Sequence, residues 1–403
     1  MNRSVERRRF LTRGVPSGEV RVGWFDHPVR GPVRCSAAPL VIGSLRRRGH
    51  RTTESFLPIH HSGDAVLFTA SYLDMAGEAV GIAASASAKD PVALAAAEEA
   101  IESWSAVWRT RRLLVAVTNP VCSGARRASR MVEDLPGEAY VIEGGPLESS
   151  GLDAVTVVGE LAAVPPGGTV VFPPSGVPTS LRVEVADRGL GIVDTTCPLV
   201  DAMLADVRRF ADRGDTVLII GKAGHAAVSA LAGEAPGATV LVESPRDIEA
   251  LRVDPARVSY LISGGVPVED VLELVGALRA RFPGLRGQHP DGLCYAASDH
   301  LGTVRAVAAV CEVVLVLGAA GPASTRELAD QAAASGAETH RLTNTGEIRP
   351  GWLTGAATVG LVTAPSAKPC LREEVIEALS GLGPLSVVRR TDVSEVVKIH
   401  GFR

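Results

Sequence analysis

The sequence predicts an α/β protein of more than one domain, with parallel sheets and a smaller α+β part at its N-terminal end. Three observations carry this. At 403 residues the chain is too long for one ordinary domain. From Arg112 onward, short apolar runs bounded by glycine and proline alternate with segments of helical period, the pattern of βα units. Ahead of Arg112 the apolar runs alternate like a hairpin instead. A composition of 46% hydrophobic and 21% charged residues belongs to a well-buried globular chain.

The elements follow in order. Residues 1–19 hold a twin-arginine-like RRRFL, but no apolar core comes next. Arg7, Arg8 and Arg9 are therefore read as a solvated, frayed basic terminus and not as an export signal. Residues 20–110 form a small α+β domain of unassigned role. Within it EVRVGWF is a strand, and CSAAPLVIGSLRRRGH is a helix that contains Cys35, buries Leu40 and Leu45, and ends at Gly49. DAVLFTASYLD and EAVGIAASAS form a hairpin around residues 75–77. DPVALAAAEEAIESWSAVWRT is a helix with Asp90 as cap, Pro91 at the first helical position, and Leu94, Ala97, Ile101 and Trp104 as a buried stripe. His27, His60 and His61 are read as ordinary residues of this part, not as metal ligands.

Residues 111–403 are a series of strand–turn–helix units. RRLLVAVTNP is a buried strand and SGARRASRMVEDL its helix; GEAYVIEGG follows as a strand. AVTVVGELAAVPPGGTVVFPPSGVP holds two more strand-like runs. In CPLVDAMLADVRRFADRG, Leu199, Val200, Met203, Leu204, Val207 and Phe210 share one helix face, which closes at Gly214. TVLIIGKAGHAAVSALAG, ATVLVESPRDIEAL, VSYLISGGVPVEDVLELVGALRARF, VVLVLGAAGPASTRELADQAAASG and TVGLVTAPSAKPCLREEVIEALSGLG repeat the theme.

Composition excludes several functions. A net charge of −4 and a pI near 6.2 do not make a nucleic-acid surface, and 4% aromatic residues supply few stacking platforms. No run reaches the roughly 18 apolar residues of a membrane span. Six cysteines in so long a chain, with no secretory signal, are expected as reduced thiols or metal ligands in the cytosol, so the location expected is cytoplasmic.

Three cysteines stand apart: Cys122 in TNPVCSGARRA, Cys197 in VDTTCPLVDAM and Cys294 in PDGLCYAASDH. They lie 75 and 97 positions apart, too far for a local finger or ribbon. Each precedes a helical stretch, and a helix N-terminus favours negative charge on sulfur and on any cluster it holds. Three thiolates are one short of the four that close a structural iron–sulfur cluster, which would leave one iron open. Three buried apolar cysteines are the alternative, and the placement before helices disfavours it.

Several stretches resemble the 4-hydroxy-3-methylbut-2-enyl diphosphate (HMBPP) reductase family, also called LytB or IspH. VDTTCPLVDAM is the most specific. NPVCSGARRA, GHAAV, LCYAASDH, LVESPRDIEAL and VCEVVLVLG agree in order and spacing, over roughly residues 112–400. The resemblance implies a trefoil of three α/β domains with pseudo-threefold arrangement around a central 4Fe–4S cluster. It implies Cys122, Cys197 and Cys294 as the ligands, and an open iron that binds the substrate hydroxyl. It also implies His225 as a substrate-contacting histidine and a ferredoxin- or flavodoxin-type electron donor.

Departures from the family are numerous. Ser175 stands where the family has a substrate-binding histidine, and another family histidine is replaced within EGGPLES. Ala227 takes the place of the proton-relaying glutamate. Ser263, Gly264 and Gly265 replace a glutamine–threonine–threonine segment. Ala319, Gly321 and Ala367 fall where the diphosphate-binding loops have donors. Alanine and glycine side chains donate nothing to a diphosphate, so a substrate other than HMBPP is expected.

The remaining candidates are His225, Thr196 and Ser263 as catalytic groups, and Ser175, Lys222, His225 and Lys368 as substrate-binding groups. Thr195 is a further hydroxyl near the inferred pocket. Asp299 is read as the cap of the helix after Cys294, Cys370 as a site-lining or buried thiol, and Cys311 as core. The function expected is reductive removal of a hydroxyl from a small substrate at the open iron of the cluster. Alternatives are a genuine HMBPP reductase, a redox-neutral 4Fe–4S lyase or dehydratase, and a non-catalytic cluster protein. A homodimer is compatible with all of them.

Overall fold

The computed structural model describes residues 5–74, 76–116, 122–135, 137–142, 155–289, 292–321, 323–364 and 366–390. The EGGPLES stretch, the end of RRLLVAVTNP and Met75 lie outside them. The chain divides into two compact units, Met1–Thr118 with Thr303–Thr391, and Asn119–Gly302 with Asp392–Arg403.

In the first unit the elements begin with strands β1 (Glu6–Thr12), β2 (Glu19–Val22), β3 (Phe25–His27) and β4 (Gly31–Val33). Helix α1 (Ala38–Arg47), β5 (Arg51–Glu54), β6 (Ala65–Leu73), β7 (Ala79–Ser87), α2 (Pro91–Ala106) and β8 (Arg111–Ala116) follow. The sheet order is β1-β6-β7-β2-β5, with β6 and β7 as the expected antiparallel hairpin. Asp90 caps α2 by accepting from the Ala93 amide at 3.0 Å, and Ala97, Ile101 and Trp104 are buried. Cys35 lies ahead of α1 and not within it, because the backbone turns at residues 36–37 before the helix starts. Burial, then the charge of Glu54, pushes its thiol up to about 12. His27 is buried, with its Nδ1 accepting from the Val29 and Arg30 amides at 3.2 Å each.

The expectation of a frayed terminus fails at β1. Its seven residues pair antiparallel with β6 along the sheet edge. Arg7, Arg8 and Arg9 are exposed as expected, yet Arg7 Nε donates to Ser105 Oγ at 2.8 Å, Arg9 pairs with Glu98, and Arg8 pairs with Glu6. Charged residues are common on edge strands, where they deter further pairing. A burial pattern could not reveal this strand, since little of it is buried.

The second unit holds α3 (Ser123–Glu133), β9 (Ala139–Ile142), β10 (Val155–Val158), β11 (Thr169–Phe172), α4 (Thr179–Asp187), β12 (Gly191–Asp194), α5 (Pro198–Asp212), β13 (Thr216–Ile220) and α6 (Ala226–Glu234). It continues with β14 (Thr239–Val242), α7 (Pro245–Ala250), β15 (Val258–Ile262), α8 (Val268–Arg281), β16 (Arg286–Gly287) and the start of α9 (Ala296–Ala308), which from Thr303 onward belongs to the first unit. Two parallel sheets result, ordered β10-β9-β11-β12 and β14-β13-β15-β16. Val200, Met203, Leu204, Val207 and Phe210 of α5 pack on Val217 and Ile219 of β13. Gly214, at φ +78°, closes the helix as expected. Helix α4 was not legible: Val185 is the buried residue of this helix, so it has no stripe to read.

The first unit resumes with β17 (Val313–Leu317), α10 (Ala323–Ala334), β18 (Glu338–Leu342), β19 (Thr358–Thr363), α11 (Leu371–Ser380) and β20 (Leu385–Arg390). These strands and β8 form a third parallel sheet, β18-β17-β19-β8-β20. Its apolar side is continuous with the N-terminal sheet and helices, since Leu40, Trp104, Leu113, Leu315 and Leu361 share one core. Arg111 is buried at the seam and donates to the carbonyls of Val107, Leu353 and Leu382. Burial, then nearby Arg109, pushes its pKa down to about 10. Cys311 is core as expected, its thiol raised by burial to about 11.

Candidate metal centre

The second unit brings the three singled-out cysteines together, each where a helix starts. Cys122 is the N-cap of α3, with its Sγ accepting from the Ala125 amide at 3.4 Å. Cys197 is the N-cap of α5, Pro198 follows at the first helical position, and its amide donates to the Pro174 carbonyl at 3.0 Å. Cys294 sits just before α9 and is bonded by the Ala296 amide. A capping position leaves helical N–H groups unspent, and the sulfurs of Cys122 and Cys294 accept from them, whereas Cys197 makes no such side-chain bond.

Convergence is visible at Gly124, in the first turn of α3. A Cβ built there would lie 2.8 Å from Cys197 Sγ and 3.7 Å from Cys122 Sγ. The absent methyl is therefore the space that Cys197 occupies. The Cys294 thiol is held above its ordinary pKa, first by burial and then by the charges of Cys122, Cys197 and Asp299, while the Ala296 amide pulls it down. Three thiolates this close repel one another unless cations lie among them. Among the described residues no three His, Cys, Asp or Glu groups suit a single metal ion. Thiolates are the usual ligands of iron–sulfur clusters, so the donor chemistry suits one.

The turns around the cysteines are braced by groups that sequence reasoning missed. The Arg127 guanidinium, from the helix that Cys122 begins, donates to the Thr196 carbonyl at 3.3 Å. Arg182 donates to Thr196 Oγ1 at 3.0 Å and to Asp194, and Asp194 accepts from the Thr196 amide at 3.0 Å. Thr195 Oγ1 donates to the Phe172 carbonyl at 2.6 Å. Thr196 is therefore engaged at its amide, hydroxyl and carbonyl in holding the residue before Cys197. Buried Gln288 accepts from the Ile262 amide at 2.9 Å and donates to the Gly292 carbonyl at 2.6 Å, two residues before Cys294. Ser298 Oγ accepts from the Val268 amide at 2.9 Å, tying α9 to α8. Gly124 had a legible signal, a glycine inside a helix; the others had none.

The further candidates are distributed as follows. His225 is the N-cap of α6, its Nδ1 accepting from the Ala227 amide at 3.3 Å. That bond leaves the proton of a neutral ring on Nε2, which lies against Gly265: a Cβ there would be 2.7 Å from it. Burial, then the charge of Lys222, holds the His225 pKa below its ordinary value. Ser263 is buried, with its Oγ donating to the Gly264 carbonyl at 3.3 Å. Ser175 is buried, and its Oγ has no hydrogen-bond partner among the described residues. Lys222 is exposed, and Ala227 is buried. Asp299 is in the first turn of α9, not at its cap, because the helix already starts at Ala296.

Lys368 and Cys370 belong to the first unit, and both are exposed. Cys370 was expected to be buried or site-lining; it is the N-cap residue of α11, and a bond to Glu374 raises its pKa first. Nearby, the turn into α10 is richer in donors than its alanines suggested. Ser366 Oγ accepts from the Ala319 amide at 3.1 Å and lies 3.0 Å from buried Thr325 Oγ1.

Comparison with known proteins agrees with this arrangement. The model of the LytB protein family matches residues 113–380. The chain belongs to the LytB family. A 4-hydroxy-3-methylbut-2-enyl diphosphate reductase of Mycobacterium bovis is 35% identical over 301 residues, 71% of this chain and 91% of that protein. A reductase of the same name from Bordetella bronchiseptica is 32% identical over 300 residues, covering 71% and 90%. Among solved structures, the E-1-hydroxy-2-methyl-but-2-enyl-4-diphosphate reductase of Plasmodium falciparum matches with a TM-score of 0.61 at 19% identity, over 72% of this chain and 95% of that one. A second solved reductase matches with a TM-score of 0.51 at 22% identity, over 67% and 99%. These two show that the fold is the α/β fold of the LytB structures, as expected. LytB-family membership makes the chain an enzyme, an oxidoreductase of an iron–sulfur family. The N-terminal sheet precedes the matched region. Among the described residues no helix is long and apolar enough to cross a membrane.

Proposed function

We propose that the chain is a 4Fe–4S reductase that removes a hydroxyl from a small substrate, with HMBPP the first substrate to test. The observation that carries this is the meeting of Cys122, Cys197 and Cys294 at three helix starts, with Gly124 leaving room for the second sulfur. The overall change is R–OH plus two electrons and two protons to R–H and water. When bound, the cluster would supply an open iron as Lewis acid for the leaving oxygen, and a store for electrons arriving singly.

The chain's own residues have separate tasks in this reading. Cys122, Cys197 and Cys294 hold the cluster, and Arg127, Arg182, Asp194 and Thr196 fix the turn that presents Cys197. His225 is neutral near pH 7, so its Nε2–H offers a hydrogen bond and a proton without adding a charge. Lys222 adds positive charge beside it for an anionic substrate. Ser263 is kept as a further hydroxyl on the neighbouring strand end. In the first unit, Ser366 Oγ accepts from the Ala319 amide and lies against Thr325 Oγ1, and Lys368 is exposed.

The expectation that HMBPP is not used rested on lost donors, and the comparisons lend it no support: the relatives named HMBPP reductases align over about nine-tenths of their own length. A different hydroxylated substrate is the second reading, and the methyl of buried Ala227 at the relay position is what favours it. An electron donor of ferredoxin or flavodoxin type and a cytoplasmic location complete the proposal.

The test is anaerobic reconstitution followed by assay. We expect about four irons and four sulfides per chain, and water-forming turnover of HMBPP under a one-electron donor. Loading without turnover on HMBPP selects the second reading. A chain that takes up no iron, or a cluster that survives alanine at all three cysteines, overturns both.

A further inference from the structure

We infer that a cavity in the second unit, beside β11, α4 and the start of α6, is a binding site for a small uncharged molecule. Its ligand would be mostly hydrocarbon, with one oxygen hydrogen-bonded by Ser175. The cavity measures about 300 Å³ and is walled by Ile142, Phe172, Val177, Leu181, Ala226 and Ala230 among others. Among the described residues no charged side chain lines it. The Arg182 guanidinium stacks at 5.0 Å over the Phe172 ring but is tied to Asp194 and Thr196. Carboxylates and phosphates would find no cation among these described wall residues.

Ser175 supplies the polar point. It is 5% exposed and lines the cavity, and its Oγ has no partner among the described residues. A buried hydroxyl left unpaired is destabilising, and a ligand oxygen would satisfy it. Ser229 also lines the cavity, and it is exposed. At roughly 30 Å³ for each water of the liquid, the space suits a molecule of about ten non-hydrogen atoms, at the small end of ligand pockets.

The cavity wall is also the support of a cysteine turn. Pro174, next to Ser175, accepts the Cys197 amide at 3.0 Å. Gly176, at φ +75°, packs so closely that a Cβ would lie 3.0 Å from Val200 and 3.4 Å from Thr196. One face of the 173–177 loop meets the cavity, and the other holds Cys197. An occupant therefore presses on the same loop that orients that sulfur.

The test needs no turnover. Cyclohexanol is titrated into the anaerobic full chain by calorimetry, with cyclohexanecarboxylate as the charged control. Saturable binding of the alcohol, at least about tenfold tighter than the carboxylate, is expected. Ser175→Ala should weaken it about tenfold, and Leu181→Trp, which fills the space from a half-buried wall, should abolish it. Absence of saturable binding, equal affinity for the carboxylate, or unchanged affinity in Leu181→Trp overturns the inference. None of these outcomes depends on the reductase reading, which stands or falls on iron content and turnover.

Discussion

Replacing Gly124 with alanine asks the most of the proposed centre for the smallest change. The new methyl would sit 2.8 Å from Cys197 Sγ and 3.0 Å from Cys197 Cβ. Heavy atoms of this kind rest about 3.5–4.0 Å apart, so roughly 0.7–1 Å must be found. Metal–ligand distances tolerate about 0.2 Å. The displacement is several times that, and α3 and α5 are both anchored by Arg127 and the Pro174 carbonyl. Overpacking of this size costs about 1–3 kcal/mol, while alanine regains about 1 kcal/mol of helix propensity, so the fold should persist. Iron and sulfide content, with the visible absorption and the electron paramagnetic resonance of the reduced protein, should show a depleted or distorted cluster. Gly276→Ala in α8 is the control, because nothing lies within 4 Å of its Cβ position. A Gly124→Ala protein with full iron content and unchanged resonance would refute the placement of Cys197 beside α3.

Three further outcomes are expected. Gln288→Leu removes the two side-chain bonds that tie Ile262 and Gly292 together; it should speed cluster loss to a chelator about tenfold or more, with altered resonance from the displaced Cys294. His225→Asn keeps a good N-cap for α6 but removes the Nε2 proton, so thermal stability should hold while turnover falls by about 10²–10⁴; equal loss of stability and turnover would make the histidine purely structural. Burial raises the pKa of Asp215, but bonds from Ser259 and Arg213 and the charges of Arg213 and Arg286 outweigh it, so the net pKa is depressed. The stability this lends is present above the unfolded value of about 3.9 and is lost as pH falls below it. Urea unfolding should find Asp215→Asn weaker by about 1–3 kcal/mol at pH 7, with the gap closing below about pH 4; a gap that widens in acid would show the sign to be wrong.

Much of this molecule was determined by local sequence. The strand ends, the glycine turns and the Asp90 cap depend on residues within one or two turns of each other, so apolar period and turn chemistry suffice to read them. The cysteine motifs were legible for the same reason, since each is a short run ending a turn and opening a helix. Even so, the edge strand over residues 6–12 escaped, because an arginine-rich edge buries too little to leave a pattern. Helix α4 escaped for want of a stripe.

What only the tertiary structure decided is a matter of distances through space. That Cys197 lies over Gly124, 73 residues earlier in the chain, follows from how α3 and α5 pack, and no window of sequence contains both. Gln288 reads as a loop glutamine until β15 is set beside it, and Thr196 reads as a catalytic hydroxyl until Arg127 and Arg182 are seen to hold it. Ser366 reads as a loop serine until it is seen to accept from the Ala319 amide and to meet Thr325. A side chain's chemistry is fixed by its own atoms, but its role is set by the neighbours that burial and hydrogen bonding impose, and those neighbours are chosen by the packing of distant segments.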